Sequence, residues 1–184
     1  MKNWNQHTDE NLMQLIQKGN EEAFNEIYQR YSQRILYFMY KMLKQDEARA
    51  QDFLQDVFLK IAAAPEKFDT NKNFKTWVFT VAANLCKNYF RQRKEPYNDL
   101  NGIEQPIANN FIPAIDNRAF EAELNQELTL LLPVYKEAFI LRYYEGLSLN
   151  EIAEVVGSPL GTVKSRLHSA TRILSEKLIH YQPE

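Results

Sequence analysis

Two stretches of the chain carry cations together with amide or hydroxyl side chains but no carboxylate. The basic residues are Lys72, Lys75, Lys87, Arg91, Arg93 and Lys94 in 72–94, and Lys164, Arg166 and Arg172 in 158–175. Such cations bind phosphate, and short amide or hydroxyl side chains fit against base edges. Because the whole chain has a formal net charge of −2, these local basic faces indicate oriented binding to a polyanion.

The second stretch belongs to a pattern of two helices joined by a tight turn. Ser148 and Glu151 fit a capping box, and Gly157 allows the left-handed turn that ends a helix. The following helix, 159–174, places on one face Leu160, Val163, Leu167, Ala170 and Leu174. At 100° per residue its opposite face is polar. This layout is typical of a DNA-reading helix-turn-helix, although a helical hairpin with a solvated face has the same spacing.

The first stretch predicts a helix over 74–93. Its apolar residues, assigned to the core, are Phe74, Trp77, Val78, Val81, Ala82, Leu85 and Tyr89. The other side aligns Thr76, Thr80, Asn84, Lys87 and Arg91, with Asn88 at its edge. A face of amides and cations suits phosphate and base contacts, and a solvated basic surface is the alternative.

The remaining sequence indicates an all-α protein of two small helical domains. Hydrophobic residues make up 45% of the 184 residues and recur at helical spacing. Residues 96–118 are rich in proline and asparagine and have no helical period. We therefore expect an N-terminal domain at 1–95, a flexible linker at 96–118, and a C-terminal helix-turn-helix domain at 119–184.

Composition also argues against several classes of protein. The single cysteine, Cys86, excludes an internal disulfide, and the three histidines match no metal-ligand spacing. No nucleophile–base pair or phosphate-binding loop occurs, so we expect no enzymatic activity, cofactor or metal. The N-terminal MKNWNQHTDENL has no apolar signal core, and no stretch of about 18 apolar residues follows. We expect a cytoplasmic protein without membrane insertion or a C-terminal regulatory extension.

Three segments resemble bacterial RNA polymerase sigma factors of the two-domain, extracytoplasmic-function group. LSLNEIAEVVGSPLGTVKSRLH (147–168) is similar to the family's promoter-reading domain. ARAQDFLQDVFLKI (48–61) resembles the helix that docks on polymerase, and FDTNKNFKTWVFTVAANLCKNYFRQRK (68–94) resembles the promoter-melting segment. The resemblance covers about 9–94 and 123–178. It implies a protein that binds core RNA polymerase and directs promoter-specific transcription initiation.

The resemblance also implies roles for individual residues. The residues expected to read the upstream promoter element as duplex are Ser158, Thr162, Lys164, Ser165, Arg166, His168, Ser169 and Arg172. Stabilising the melted downstream element falls to Asn71, Lys72, Asn73, Lys75, Thr80, Asn84, Lys87, Asn88 and Arg91. Contact with a basic coiled coil of core polymerase falls to Asp52, Gln55 and Asp56. The implied partners are core RNA polymerase, promoter DNA (duplex and melted non-template strand) and an anti-sigma factor, often membrane-bound.

Two other functions are compatible with parts of the pattern. A stand-alone helix-turn-helix regulator would bind duplex DNA tightly without polymerase, as a dimer on a palindrome. A nucleic-acid-processing enzyme would need clustered carboxylates to hold metal ions, which the sequence does not show. A sigma factor, by contrast, is expected to bind DNA weakly alone and specifically with core polymerase.

Overall fold

Eight α-helices make up most of the regular structure in the computed structural model, which describes residues 4–94, 97 and 118–181. In chain order they are α1 (Asp9–Gln17), α2 (Glu21–Met42), α3 (Glu47–Ala63), α4 (Phe74–Gln92), α5 (Arg118–Leu130), α6 (Pro133–Tyr143), α7 (Leu149–Val156) and α8 (Leu160–Lys177). Three short 3-10 turns, Trp4–Gln6, Pro65–Lys67 and Ile179–Tyr181, complete the regular structure of these residues. The chain divides into two units, Met1–Cys86 and Lys87–Glu184.

Polar side chains set the starts of the first three helices. The residue before each helix accepts a hydrogen bond from a backbone amide three residues further on, which satisfies a donor that the helix leaves unpaired. The capping side chains are Thr8 for α1, Asn20 for α2 and Asp46 for α3. These local hydrogen bonds set where the three helices begin.

The first unit is held together largely by aromatic side chains. Phe38 of α2 and Phe79 of α4 are fully buried, and their rings meet edge to face with 5.6 Å between centroids. Tyr31 packs in the same way on Phe74, at 5.1 Å. Such pairs contribute about 0.5–1.5 kcal/mol beyond the burial of their area. This packing fixes the first half of α4 against α2.

The second unit has its own core. Phe139 of α6 and Leu174 of α8 are fully buried, and they pack with Phe120, Leu124 and Leu128 of α5. α6 also contacts α7. Because α5 and α6 cover the apolar side of α8, the polar side of α8 is left facing outward.

The all-α prediction is confirmed, and the helices predicted at 74–93 and 159–174 agree with α4 and α8 to within a few residues. In α8, one residue of the predicted apolar face is not buried: Leu160 is 37% exposed, because it occupies the first position of the helix. Thr171 is buried instead, and its hydroxyl donates to the carbonyl of Leu167 at 2.9 Å.

The predicted linker lies outside the described residues, apart from Tyr97 and Arg118. Among the described helices, none has the length and apolar character needed to cross a membrane.

Candidate nucleic-acid interface

The helix-turn-helix is formed by α7, Gly157 and α8. Ser148 Oγ accepts from the amide of Glu151 at 3.3 Å, and the Glu151 carboxylate accepts from the Ser148 amide at 2.7 Å. This is the predicted capping box. Gly157 ends α7 with φ 63° and ψ 40°, a conformation that costs a residue with a Cβ about 1–2 kcal/mol. The turn therefore sets the direction in which α8 leaves α7.

The outward face of α8 carries small polar side chains. Thr162, Ser165, His168 and Ser169 are all half-buried. The hydroxyl of Ser165 donates to the carbonyl of Thr162 at 3.0 Å, which leaves its oxygen able to accept a further bond. His168 Nδ1 is buried and has no hydrogen-bond partner in the described residues. Short side chains on this face allow the helix backbone to approach a base edge closely.

The three cations of α8 have different surroundings. Arg172 pairs with Glu176 at 3.0 Å on the exposed surface, where such a pair is weak and can give way to another anion. Lys164 is half-buried, and it makes no hydrogen bond or ion pair with the described part of the chain. Arg166 differs, since its Nη1 donates to Ser158 Oγ at 3.1 Å and its Nε is buried. Two cations are available to phosphate and the third is held by the turn.

The buried face of α4 differs from the predicted one. Its buried residues are Phe74, Thr76, Val78, Phe79, Ala82, Ala83, Cys86 and Phe90. At 100° per residue this face is rotated by about a quarter of a turn from the prediction. Trp77, predicted for the core, is half-buried on the same side as exposed Asn84 and Asn88, whereas Thr76, predicted for the polar side, is buried. Apolar residues lie around most of α4, so hydrophobicity did not define its orientation.

Trp77 is supported from within by two buried rings. Its centroid lies 5.2 Å from that of Phe68 and 5.8 Å from that of Phe74, and both of these phenyl rings are almost fully buried. They limit the indole's freedom without covering it. A half-exposed aromatic ring held in this way is suited to stacking on an unpaired base.

Other predicted residues of α4 flank this surface. Thr80 is half-buried, and its hydroxyl donates to the Thr76 carbonyl at 2.8 Å. Arg91 is exposed, and its Nη2 donates to Asn88 Oδ1 at 3.0 Å. Arg91 and Asn88 can thus act together on a phosphate or a base edge.

Two predicted lysines lie off the exposed face of α4. Lys75 is half-buried, and at 100° per residue it projects on the side opposite Asn84. Lys87 is half-buried at a flank, about 60° from Asn84. Lys87 Nζ donates to the carbonyl of Val156 at 2.8 Å, and neither lysine belongs to the Trp77 side of the helix.

The loop before α4 is organised by its own side chains. Asp69 Oδ1 accepts from the backbone amide and the side-chain amide of Asn71, both at 3.0 Å, and these two bonds hold the pKa of Asp69 below its usual value. Asn73 Oδ1 accepts from the Thr76 amide at 2.9 Å, so Asn73 caps α4. Lys72 is exposed. Among the predicted loop residues, Asn71 and Lys72 keep side-chain groups directed to solvent, whereas the oxygen of Asn73 is used within the fold.

Two residues of α1 hold this loop at both ends, and sequence reasoning missed them. Gln17 Nε2 donates to the carbonyls of Pro65 and Phe68, at 3.0 and 2.9 Å. Glu10 accepts from the amide of Phe74 at 3.0 Å. A spacing of seven residues places Glu10 and Gln17 on one side of α1. That spacing was visible in the sequence, but their partners, some 50 to 60 residues away, were not.

A separate acidic surface lies on α3. Asp52, Gln55 and Asp56 are exposed there, as the apolar stripe of this helix predicts. Leu59 lies on the same side and is 63% exposed. An exposed leucine beside two carboxylates was not singled out from the sequence, although its position off the apolar stripe was a usable signal.

Comparison with protein families finds two domains in this chain. Sigma-70 region 2 matches residues 27–95, and Sigma-70, region 4 matches residues 121–174. The ECF RNA polymerase sigma-E factor of Escherichia coli (strain K12) is 30% identical over 94% of this chain and 95% of that protein. The chain belongs to the extracytoplasmic-function (ECF) RNA polymerase sigma factors. The ECF sigma factor SigW of Bacillus subtilis (strain 168) is 29% identical over 89% of this sigma factor and 92% of its own length.

Solved structures share the architecture of this sigma factor. The sigma factor RpoE of Bartonella quintana, in complex with the anti-sigma factor NepR, matches with a TM-score of 0.66 and 26% identity, over 88% of this chain and 99% of that one. CnrH, in complex with the cytosolic domain of CnrY, matches with a TM-score of 0.68 over 95% of this chain and 99% of that one. Its identity of 22% supports the fold alone.

The two matched domains contain the surfaces described above. Region 2 includes α3, the loop and α4, and region 4 includes α7 and most of α8. As a sigma factor, this protein binds core RNA polymerase and directs it to promoters to initiate transcription. The resemblance noted in the sequence is thereby confirmed at the level of the family. The assignment of single residues to DNA or polymerase is a separate matter.

Proposed function

We propose that this sigma factor binds its promoter through two helices that make different kinds of contact with DNA. α8 reads the upstream element as duplex DNA, and α4 with its preceding loop holds the melted downstream element. Two outward faces carry this proposal: that of α4 has amides and cations around one supported indole and no carboxylate, and that of α8 has hydroxyls and cations with Glu176 only at its end. Carboxylates are absent where phosphate must approach, and hydrogen-bonding groups are present where bases must approach.

On the upstream element, the small polar side chains of α8 meet base edges in the major groove. Thr162, Ser165, His168 and Ser169 supply donors and acceptors, while Lys164 and Arg172 contact the flanking phosphates. Pro159 is the N-cap residue of α8, and no side chain caps this helix. Its first amides are therefore free to donate to a phosphate.

On the downstream element, Trp77 offsets part of the cost of melting. Opening duplex DNA costs about 1.4 kcal/mol per base step, and stacking of one base on an aromatic ring returns about 1–3 kcal/mol. Asn84 and Asn88 provide amides beside the indole for the edge of a flipped base. Asn71 and Lys72 in the loop contact the non-template strand, and Arg91 binds its phosphates.

Core polymerase docks on the acidic surface of α3. We infer that Asp52 and Asp56 meet cations of a basic coiled coil, with Gln55 hydrogen-bonding between them. The exposed Leu59 supplies the apolar anchor that such a polar interface otherwise lacks. We place the sigma factor in the cytoplasm, because its polymerase transcribes the chromosome there.

An anti-sigma factor provides the regulation in this proposal. The relative RpoE from Bartonella quintana was solved in complex with the anti-sigma factor NepR. We infer that a protein inhibitor, often membrane-bound in this family, covers the polymerase-binding surface of this chain until a signal releases it. The exposed carboxylates and Leu59 of α3 are the features that such an inhibitor would cover.

The proposal is tested by adding the purified protein to core RNA polymerase and mapping new transcription start sites on genomic DNA. The wild type is expected to give start sites that core enzyme alone does not. Asp56→Lys reverses a charge within the docking surface, and loss of about 2 kcal/mol or more of binding, roughly thirtyfold, is expected. The readout is co-purification with core polymerase, alongside the circular dichroism spectrum as a check on folding.

Glu47→Lys is the matched control for this variant. It makes the same charge change at an exposed position of α3, on the opposite side of the helix from Asp56. Polymerase binding is expected to survive it. Equal loss in both variants, or retention in both, would contradict the assignment of Asp52, Gln55 and Asp56 to polymerase.

A further inference from the structure

Arg166 is set apart from the other cations of α8 by what surrounds it. Its Nη1 reaches back eight residues to Ser158 Oγ in the turn, at 3.1 Å, and its Nε is buried. Lys164 and Arg172 have no such internal partner in the described residues, apart from the exposed pair of Arg172 with Glu176. A guanidinium that meets a DNA phosphate must present its donors to solvent. Nη1 and Nε of Arg166 are instead directed into the protein.

The start of α8 has no side-chain cap of its own. Pro159 stands at the N-cap of α8 and provides no side-chain hydrogen bond. Ser158 is a residue type that commonly caps helices, but here its hydroxyl accepts from Arg166. The bond ties the turn after Gly157 to the middle of α8. The structure otherwise shows no side-chain hydrogen bond between this turn and α8 among the described residues.

A buried acid lies close to the same guanidinium. Glu137 of α6 is completely buried, and neither of its carboxylate oxygens has a hydrogen-bond partner in the described residues. Burial raises the pKa of Glu137, and the positive charges of Lys87 and then of Arg166 lower it in part. A buried charge is stable only near a compensating charge. Turning Arg166 outward to DNA would remove compensation from Glu137 and break the bond to Ser158.

We propose that Arg166 is a positioning residue, which sets the orientation of α8 from inside the helix-turn-helix and makes no contact with phosphate. It influences DNA binding by holding Ser158 and the turn, and its charge interacts with the buried Glu137 of α6. This inference rests on the proposed reading of the upstream element by α8. It changes the role of one residue that the sequence assigned to DNA, and it divides the cations of α8 into one internal and two external groups.

The test measures affinity for duplex DNA carrying the upstream element of a promoter found by start-site mapping. The full-length protein, assembled with core polymerase, is titrated over a range of salt concentrations. Each phosphate contact that is lost reduces the slope of log affinity against log salt by about one. Lys164→Ala is therefore expected to weaken binding and flatten the slope by about one. Arg166→Ala is expected to weaken binding about tenfold, the effect of losing a hydrogen bond to a charged group, with the slope unchanged.

Two further measurements separate positioning from simple support of the fold. Arg166→Ala is expected to reduce discrimination between the upstream element and copies with one base changed, in samples that circular dichroism shows to be folded. Ser158→Ala is expected to weaken binding as well, and the double variant to be no weaker than Arg166→Ala alone, because both remove the same bond. If Arg166→Ala does not fold, Ser158→Ala alone carries the test, with a weaker affinity at an unchanged slope expected.

The outcomes distinguish this inference from the proposed function. The inference is overturned if Arg166→Ala flattens the salt slope by about one and if the loss of affinity in Ser158→Ala adds to that in Arg166→Ala. Arg166 would then be a phosphate contact. An unchanged affinity and discrimination in folded Arg166→Ala also overturns it. Failure of the wild type to bind the upstream element with core polymerase would instead remove the proposed function.

Discussion

α4 and α8 both carry a polar face rich in cations, with no carboxylate in α4 and only Glu176 near the end of α8, yet the two helices matched expectation to different degrees. In α8 the outward face is the predicted one, and the role of a single cation, Arg166, is revised. In α4 the buried face is rotated by about a quarter of a turn, which brings Trp77 to the surface and takes Thr76 into the core. The difference comes from how clearly each sequence separates apolar from polar residues.

α8 has one narrow apolar stripe, so only one orientation buries it. α4 has large apolar side chains in several directions, including Phe79 and Phe90, which are buried, and Trp77 and Leu85, which are half-buried. Several orientations would bury a similar apolar area, and the rings of α2 select among them. An aromatic residue near the edge of such a helix is therefore a better candidate for a binding role than its apolar character suggests.

The strongest test of the contrast replaces the indole of α4. Trp77→Ala is expected to reduce open-complex formation about 5- to 150-fold, since stacking of one base contributes about 1–3 kcal/mol. Binding of the upstream element by α8 is expected to stay unchanged. Permanganate footprinting of melted thymines measures the first quantity, and titration with an upstream duplex measures the second. Trp77→Phe keeps a ring and is expected to keep most of the activity, whereas equal loss of both activities in Trp77→Ala would show a general structural defect.

A smaller effect is expected at the start of α4. Asn73→Ala removes the cap and should lower the free energy of unfolding by about 1 kcal/mol, as measured by urea denaturation. Asn73→Ser keeps an oxygen that can cap the helix but removes the amide. If Asn73 acts as a cap, Asn73→Ser opens promoters as well as the wild type does. If both variants lose promoter opening equally, the amide of Asn73 contacts DNA as the sequence suggested.

The smallest effect concerns the buried acid behind α8. Because the pKa of Glu137 is raised in the folded state, protonation favours folding, and this contribution is lost as pH rises from the ordinary value of 4.5 through the folded pKa. Glu137→Gln is expected to gain stability relative to the wild type over that interval. Thermal unfolding across pH measures the difference. Glu154→Gln removes a carboxyl from an exposed site of α7 and is the control. A stability difference between Glu137→Gln and wild type that stays constant with pH would contradict a raised pKa of Glu137.

The sequence alone determined the elements that depend on neighbouring residues. The capping box of Ser148 and Glu151, the left-handed Gly157 and the apolar stripe of α8 act within a few residues of one another. Local chemistry of this kind is sufficient to define a helix-turn-helix and its outward face. The acids of α3 are exposed for a similar reason, because its buried residues form one stripe on the other side of the helix.

Only the tertiary structure decided the features that depend on distant residues. The orientation of α4 is set by rings such as Phe38 of α2, and the loop before it is held by Glu10 and Gln17 of α1. Arg166 Nη1 is bound to Ser158 in the turn rather than left to solvent. A charge pattern shows which side chains can bind phosphate. Whether they are free to do so depends on which partners the fold brings beside them, because a buried charge stays with its compensating groups.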